Sequence, residues 1–268
     1  MSGLDPAEQV AEASSPASRR AAADLDRLVT RRVAGEPLQY VLGSWAFCGL
    51  DLLIDRRVLI PRPETEIVAQ VAIEEVQRQG ERVGKADPWA GAVTRYAVAD
   101  LGTGSGALAL ALADALPDAA VWATDADEDA LAVARANVAG AGTPGARVRI
   151  AQGSWFDALP DELAGTLRLI VSNPPYIAAG ELDSLPESVT RWEPHHALVS
   201  GPTGFEALDV LVAGAPGWLA PRGVLVLELA PHQAAAMAAR ARDAGFREVT
   251  IVADLAGRDR VLVARRAG

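Results

Sequence analysis

Apolar residues in the second half of the chain fall into short continuous runs, and helical patterns lie between most of these runs. Seven runs have the length of a buried strand. They are Tyr96–Leu101, Ala119–Thr124, Val148–Ala151, Leu167–Val171, Val224–Leu229, Val249–Val252 and Val261–Val263. The helical patterns are Ala107–Leu116, Asp129–Ala139, Phe205–Leu211 and His232–Ala244. This alternation predicts an α/β fold with a doubly wound, mostly parallel seven-stranded sheet that is covered by helices on both faces.

The N-terminal part of the chain predicts smaller elements. Asp5-Pro6-Ala7-Glu8 and Ser15-Pro16 both have the composition of a helix start. Apolar residues then repeat at helical spacing as far as Gly35, at positions Leu25, Leu28, Val29 and Val33. We therefore predict a short helical segment over residues 1–36, which is too small to fold alone.

A hairpin and a further helix are predicted between this segment and the sheet. Trp45–Leu50 and Leu52–Leu59 have the pattern of two short strands. The stretch IPRPETE, Ile60–Glu66, begins a helix that runs to about Gln79, and Gly80–Thr94 has the composition of a loop. The predicted parts are the helical segment (residues 1–36), the hairpin, helix and linker (residues 37–94) and the sheet domain (residues 95–268).

The composition is that of a globular protein with a sizeable core. Of the 268 residues, 50% are hydrophobic and 22% are charged. No apolar run approaches the ~20 residues of a membrane span, and no basic-then-apolar secretion signal is present. Cys48 is the only cysteine, so neither an internal disulfide nor a cysteine-rich metal site is expected. These features predict a cytoplasmic protein.

The formal net charge of −10 affects the choice of partner. A protein that binds duplex nucleic acid through its phosphates usually carries a basic excess or a basic stripe. The arginine pairs of this chain, such as Arg31-Arg32 and Arg265-Arg266, are typical of solvated helix faces or strand ends. Nucleic acid is therefore not favoured as a direct partner.

A glycine-rich loop follows the first predicted strand of the sheet and consists of Gly102, Thr103, Gly104, Ser105 and Gly106. Glycines allow the backbone to turn tightly and to approach a ligand closely. Asp125, which ends the next strand, has the position of an acid that binds ribose hydroxyls. This spacing fits an NAD site and an S-adenosylmethionine site, and a purely structural turn is a third interpretation. Asp100 would oppose a pyrophosphate but suits the cationic amino group of a methionine moiety.

The fourth predicted strand leads into Asn173-Pro174-Pro175-Tyr176. Each proline fixes its φ at about −65° and a residue before proline is held extended, so the segment is a stiff projection. The Asn173 amide oxygen and the main-chain carbonyl of Pro174 can accept both protons of a planar NH₂ group. The electron pair of that nitrogen then faces a methyl donor on the other side. Tyr176 can stack on the flat group that carries the nitrogen. A Pro-Pro turn that only ends a strand is the alternative.

These motifs closely resemble those of the class I S-adenosylmethionine-dependent methyltransferases that modify planar nitrogens. The resemblance implies a Rossmann-like sheet. Within that class the chain is similar to the release-factor glutamine methyltransferases. The resemblance lies in RRVAGEPLQYVLG, LIPRPETE, DLGTGSGALALALA, GSWFDAL, IVSNPPY, RWEPHHAL and GRDRV. It implies methylation of the side-chain amide nitrogen of the glutamine in the Gly-Gly-Gln motif of peptide-chain release factors, with S-adenosylmethionine as cofactor.

The resemblance also implies site residues. Gly102 to Gly106 would hold the methionine end of the cofactor, Asp125 its ribose and Trp155 its adenine. Asn173, which also contacts the cofactor, would act with Pro174 and Tyr176 in catalysis. The substrate glutamine would lie on Asn173, Pro174, Pro175 and Tyr176. No metal is implied, and the expected partner is a release factor rather than nucleic acid or a membrane.

The family motifs contain further polar residues with less defined roles. Arg62, Glu64 and Glu66 either line or order the mouth of the pocket, or they only begin a helix. His195 and His196 are expected to be structural, because methyl transfer from a sulfonium needs neither a metal nor a general base. The chain departs from the family at Ser154, where members commonly have an acid, and in a short N-terminal segment for docking the release factor.

Three other functions are consistent with parts of this pattern. The first is a nucleic-acid methyltransferase that acts on the adenine N6 or guanine N2 amino group, since Asn173-Pro174-Pro175-Tyr176 can hold such a group in the same way. The second is an NAD-dependent enzyme, which the glycine loop allows but for which the chain shows no evident acid or base. The third is a former methyltransferase retained as a binding module.

Overall fold

The computed structural model describes residues 18–79 and 95–268. The helix starts predicted at residues 5–8 and 15–16 and the loop predicted at residues 80–94 lie outside these described residues. Before the main sheet, the described elements are α1 (Arg19–Val33), α2 (Leu38–Leu42), β1 (Ser44–Phe47), β2 (Leu50–Leu53) and α3 (Pro63–Arg78).

From residue 96 onward, strands and helices alternate as expected. The strands are β3 (Tyr96–Leu101), β4 (Ala119–Asp125), β5 (Val148–Gln152), β6 (Leu167–Ser172), β7 (Ile177–Ala178), β8 (Val199–Gly201), β9 (Leu219–Glu228), β10 (Glu248–Ala253) and β11 (Asp259–Arg265). The α-helices are α4 (Ala107–Ala115), α5 (Glu128–Gly140), α6 (Glu187–Thr190), α7 (Glu206–Trp218) and α8 (Ala234–Asp243). Single 3₁₀ turns occupy Gly145–Arg147, Trp155–Ala158, Asp161–Leu163, Ala179–Ser184, His195–Ala197 and Pro231–Gln233.

Seven of these strands form the main sheet in the order β10-β11-β9-β6-β3-β4-β5. The pairs β3–β4, β3–β6, β4–β5 and β6–β9 are parallel, and β11 is antiparallel to both of its neighbours. The prediction of a mostly parallel seven-stranded sheet is therefore confirmed. Because parallel strands end at the same edge, the loops after β3, β4 and β6 lie side by side.

The sheet separates two apolar cores. Successive side chains of a strand point to opposite faces, and in β9 Val224 and Val226 enter one core while Leu225 and Leu227 enter the other. Helices α3, α4 and α5 pack on the first face, and α7 and α8 pack on the second. Burial on both faces explains why these strands consist of unbroken apolar runs rather than of alternating residues.

The first core also contains residues of the hairpin region. Tyr40, Phe47, Leu52 and Val68 are buried in the same cluster as Val98 of β3. Residues from α2, the hairpin and α3 therefore share a core with the sheet, whereas α1 buries no residue. The division of the chain into three parts, with boundaries after residues 36 and 94, stays a prediction.

The hairpin differs in detail from the expectation. Its second strand ends at Leu53, and the predicted extension to Leu59 is wrong. The Asp55 carboxylate accepts a hydrogen bond from the Arg57 main-chain N–H at 3.0 Å and turns the chain there. At the tip, Cys48 and Gly49 have φ of 49° and 79°, as a type I′ turn requires.

Four further elements depart from the sequence prediction. Helix α2 was missed, because five residues are too few to show helical periodicity. Strands β7 and β8 form a short separate pair that was also missed. Helix α7 continues to Trp218 instead of ending at Leu211, with Pro216 inside it. In the part of the chain that the structure describes, no helix is long and apolar enough to span a membrane.

Asn137 on α5 attaches the hairpin to the glycine loop. Its Oδ1 accepts the Leu53 N–H at 2.7 Å, and its Nδ2 donates to the Leu53 carbonyl at 3.1 Å and to the Ser105 carbonyl at 2.8 Å. The side chain is buried, with 7% of its surface exposed. One amide thus satisfies both main-chain groups of β2 that face the sheet domain.

We expect Asn137→Ala to lower the free energy of unfolding by about 2 kcal/mol, because it leaves buried main-chain groups of Leu53 and Ser105 unpaired. Urea denaturation measures this change. Gln70→Ala is a suitable control, since Gln70 is an exposed helical amide that bonds only Glu74. Equal stability of the two variants would contradict the anchoring role of Asn137.

Candidate active site

A cavity of about 270 Å³ lies beyond the carboxyl ends of β3, β4 and β6. This is the edge of an open parallel sheet at which ligands bind. Several parts of the chain line it: the segment Arg57–Thr65, the glycine loop with the start of α4, the loop after β4 with the start of α5, the loop after β5, the turn after β6, and His196 with Ala197. Among the predicted site residues, the lining includes Gly102, Thr103, Gly104, Ser105, Asp125, Trp155, Asn173 and Pro175.

The glycine loop has the backbone conformation that its sequence indicates. Gly102, Gly104 and Gly106 have φ of 76°, 56° and 83°, in the left-handed region. A Cβ atom on Gly102 would lie 3.4 Å from the Trp155 ring, and one on Gly104 would meet nothing within 4 Å. The loop is therefore packed against Trp155 on one side and open above Gly104. Gly106 is the N-cap of α4 rather than a lining residue.

Asp125 holds the loop in place and faces the cavity. Its Oδ2 accepts the Gly104 N–H at 2.9 Å, and its Oδ1 accepts the Asp127 N–H at 3.0 Å. Burial raises the pKa of the Asp125 carboxyl, which these two hydrogen bonds partly oppose. Each oxygen keeps a further lone pair, so the side chain can still accept hydroxyl donors from a ligand.

Asp100 lies beneath the loop and is completely buried. Its Oδ2 accepts the Thr103 hydroxyl at 2.6 Å and the Ala109 N–H at 3.1 Å. Its Oδ1 has no hydrogen-bond partner among the described residues. Burial raises the pKa of Asp100 to about 7. A buried carboxylate oxygen without a partner is unusual, and Asp100 does not line the cavity.

Trp155 begins a 3₁₀ turn after β5 with φ of 48°, which is rare for a non-glycine residue. Its ring packs beside Gly102 and forms one wall of the cavity. Ser154, the position that departs from the family, also lines the cavity. The structure thus brings Trp155 to the glycine loop, whereas its contact with an adenine stays a prediction.

The turn after β6 divides its residues between the cavity and the core. Asn173 and Pro175 line the cavity, and Asn173 Nδ2 donates to the Thr65 hydroxyl at 3.2 Å. Pro174 is buried and does not line the cavity as the structure defines it. Tyr176 is also absent from the lining, because its hydroxyl donates to Glu228 Oε1 at 3.1 Å.

Three residues near this turn were missed by the sequence analysis. Thr65 lies in the middle of IPRPETE, lines the cavity and donates its hydroxyl proton to Glu228 Oε2 at 2.7 Å. Glu228 ends β9 and is buried, with 1% of its surface exposed. Arg57 lines the cavity while it is paired with Asp55. An acid at the end of an otherwise apolar strand was the available signal for Glu228.

The two most specific family motifs meet in space. Arg62 of IPRPETE forms an ion pair with Glu193 of RWEPHHAL, and Glu193 also accepts the Ile60 N–H at 3.2 Å. Glu64 pairs with Arg258 at 3.1 Å, whereas the Glu66 carboxylate accepts the Cys48 N–H at 2.8 Å. Arg62, Glu64 and Glu66 are outside the cavity lining, so their contacts order its surroundings.

The adjacent histidines differ in position. His196 lines the cavity, and its Nε2 lies 2.9 Å from Asp127 Oδ2. His195 Nε2 lies 2.6 Å from the Thr190 carbonyl oxygen, away from the cavity. Within residues 18–79 and 95–268, no cluster of three or more histidine, cysteine or acidic side chains has the geometry to hold a metal ion.

The fold and two protein-family models that match the sequence define the class of protein. Residues 91–188 match the methyltransferase small domain, and residues 1–43 match the PrmC N-terminal domain. A methyltransferase from Pyrococcus furiosus has a TM-score of 0.55 at 19% identity, over 94% of this chain and 100% of the other. The catalytic domain of hMettl16, solved with the MAT2A 3′UTR hairpin 6, has a TM-score of 0.59 at 16% identity, over 86% and 81%. The protein is a methyltransferase.

Closer relatives give the family. The release factor glutamine methyltransferase of Xylella fastidiosa (strain 9a5c) is 40% identical over 253 residues, which are 94% of this chain and 85% of that protein. Those of Bordetella pertussis (strain Tohama I) and Moorella thermoacetica are 43% and 41% identical, over 88% and 89% of this chain and 80% and 78% of theirs. The chain belongs to the release factor glutamine methyltransferase family.

The pKa of Asp100 generates a prediction for stability. Because its folded-state pKa of about 7 exceeds its ordinary value of 3.8, the folded protein keeps a proton that the unfolded chain loses. This contribution to stability is fully present below pH about 4 and is lost as the pH rises through 7. The free energy of unfolding of the wild type, relative to Asp100→Asn, should therefore fall between these pH values.

Urea denaturation of both proteins across this pH range measures the difference. Asp129→Asn serves as the control for loss of a carboxyl group, since Asp129 is exposed on α5. A difference between wild type and Asp100→Asn that stays constant with pH would mean that Asp100 is ionised throughout.

Proposed function

We propose that the protein transfers a methyl group from S-adenosylmethionine to the side-chain amide nitrogen of the glutamine in the Gly-Gly-Gln motif of peptide-chain release factors. The observation that carries this proposal is the position of Asn173 on the cavity wall, beside the glycine loop and Asp125. Its amide nitrogen is engaged by Thr65, so the group it can offer to a substrate is an acceptor oxygen. Membership of the family supports the choice of substrate.

The residues around the cavity fit the parts of S-adenosylmethionine. The open space above Gly104 fits its methionine end. Asp125 has free lone pairs for the ribose hydroxyls, and the Trp155 ring provides an apolar wall for the adenine. When bound, this cofactor supplies a methyl group activated by a positively charged sulfur.

The turn after β6 positions the amide of the substrate. Asn173 Oδ1 and the main-chain carbonyl of Pro174 accept its two protons and hold the nitrogen in one orientation. The electron pair of this nitrogen would face the methyl group that the bound cofactor would supply, and the proton that the nitrogen loses would pass to solvent. Positioning of this kind replaces a strong base, because the nitrogen becomes acidic only as the new bond forms.

Tyr176 and Pro175 complete the proposed substrate site. The Tyr176 ring is fixed at its hydroxyl by Glu228, and its main-chain carbonyl accepts the Gln233 Nε2 at 3.0 Å. Pro175 contributes an apolar surface to the cavity. We assign to these two residues the flat faces of the substrate carboxamide. A release factor as substrate would place the protein in the cytoplasm, where translation terminates.

Mass spectrometry of a release factor incubated with the protein and S-adenosylmethionine tests the proposal directly. We expect one added methyl group on the Gly-Gly-Gln glutamine. Asn173→Ala should reduce the turnover roughly 10²–10³-fold, by analogy with the loss of one oxyanion-hole donor, because it removes an acceptor for the reacting amide. The variant should still bind the cofactor.

A parallel incubation with RNA and DNA covers the alternative function, methylation of an adenine or guanine amino group. Methylated nucleic acid together with an unmodified release factor would contradict the proposal. Near-normal turnover of Asn173→Ala would instead contradict the role of Asn173, while leaving the substrate assignment in place.

Asp125→Asn should weaken the binding of S-adenosylmethionine roughly 10- to 100-fold, because ribose hydroxyls lose a charged acceptor. Isothermal titration calorimetry measures the affinity. Asp129→Asn, an exposed change on the following helix, should bind as the wild type does. Equal affinities of the two variants would remove Asp125 from the cofactor site.

A further inference from the structure

A chain of hydrogen bonds connects the cavity to a buried carboxylate. Asn173 Nδ2 donates to Thr65 Oγ1 at 3.2 Å, and Thr65 Oγ1 donates to Glu228 Oε2 at 2.7 Å. Glu228 Oε1 accepts the Tyr176 hydroxyl at 3.1 Å. Thr65 and Glu228 come from α3 and β9, far from Asn173 in the sequence. The chain of bonds therefore exists only in the folded protein.

The direction of these bonds follows from the number of protons. An ionised carboxylate only accepts, so the Thr65 hydroxyl must give its single proton to Glu228. The Thr65 oxygen can then only accept from Asn173. Of the two ends of the Asn173 amide, only the NH₂ end can meet that requirement. The opposite end, Oδ1, is thus the end available to the cavity.

The donors around Glu228 fit the accepting role. Two hydroxyl groups, those of Thr65 and Tyr176, donate to its two oxygens. Burial raises the pKa of the Glu228 carboxyl, whereas these donors and the charge of Arg260 favour the ionised form. Arg260 is itself held by the Leu229 carbonyl at 3.1 Å and by Asp254 at 3.7 Å.

We propose that Thr65 and Glu228 are positioning residues that fix the orientation of the Asn173 amide, so that its oxygen and not its nitrogen faces the substrate amide. The proposal rests on the function proposed above, since it concerns the acceptor for the reacting nitrogen. If the Asn173 amide were rotated by 180°, its NH₂ group would face the NH₂ group of the substrate and could accept no proton from it. The Thr65 hydroxyl favours the arrangement in which the Asn173 oxygen faces the substrate.

Thr65→Val and Thr65→Ser form a matched pair for the test. Valine has the shape of threonine but no hydroxyl, whereas serine keeps the hydroxyl and loses the methyl group. We expect kcat on a release factor to fall about tenfold or more in Thr65→Val, the effect of one hydrogen bond to an amide. Thr65→Ser should restore most of this loss. KM should change less than kcat, because the interaction strengthens as the nitrogen becomes acidic.

A second measurement does not depend on methyl transfer. The chain has only two asparagines, Asn137 and Asn173, so labelling of asparagine amides with ¹⁵N gives two side-chain NH₂ signals. Asn137 is buried and bonded to the Leu53 and Ser105 carbonyls, and its signal reports an intact fold. We expect the Asn173 NH₂ protons to exchange with water faster in Thr65→Val and as slowly as in wild type in Thr65→Ser.

The outcomes separate the two proposals. An unmodified release factor with the expected NMR pattern would overturn the proposed function while supporting the orientation of Asn173. A methylated release factor with equal kcat in wild type and Thr65→Val would overturn the positioning role.

Discussion

The parallel pairing of β3 with β6 is the constraint on which the site depends. Both strands end at the same edge of the sheet, so the glycine loop and the Asn-Pro-Pro turn leave it as neighbours. The Ser172 hydroxyl donates to the Leu101 carbonyl at 2.5 Å and joins the last residues of the two strands. Without this register, Asn173 and the loop that holds the proposed methyl donor would not border one cavity.

The sequence predicted the sheet well because its strands are buried on both faces. Continuous apolar runs of the right length leave few alternatives, and all seven main strands were found. The prediction failed where local bonds decided the structure, as at Asp55, which ends the hairpin strand before Leu59. It also missed α2, which ends at Gly43 after five residues.

The same distinction applies to the site. Gly102, Asp125 and Asn173 were predicted because motif spacing places them at strand ends, and Trp155 because of the family resemblance; all four line the cavity. Thr65 was missed because its contact with Asn173 spans 108 positions of the chain. No local pattern distinguishes a threonine that packs from one that orients an amide. Their functional roles remain proposals, whereas their proximity is a property of the fold.

The IPRPETE and RWEPHHAL motifs have a structural explanation in this arrangement. Arg62 pairs with the buried Glu193, which also accepts the Ile60 N–H, so the start of α3 is held against the segment before β8. That contact places Thr65, three residues after Arg62, where it reaches Asn173. Motifs that look catalytic in the sequence thus act on the site through the placement of α3.

Three partly or fully buried acids lie where strands of the sheet end. Asp100, Asp125 and Glu228 lie at or near the carboxyl ends of β3, β4 and β9, and burial raises the pKa of each. Each opposes folding by the desolvation of its charged form, and an apolar residue in its place would avoid that effect. Their partners are loop amides and hydroxyls rather than close cations, apart from the charge of Arg260 near Glu228. Such an arrangement orients donors with fixed protons, as the proposed positioning of a substrate amide requires.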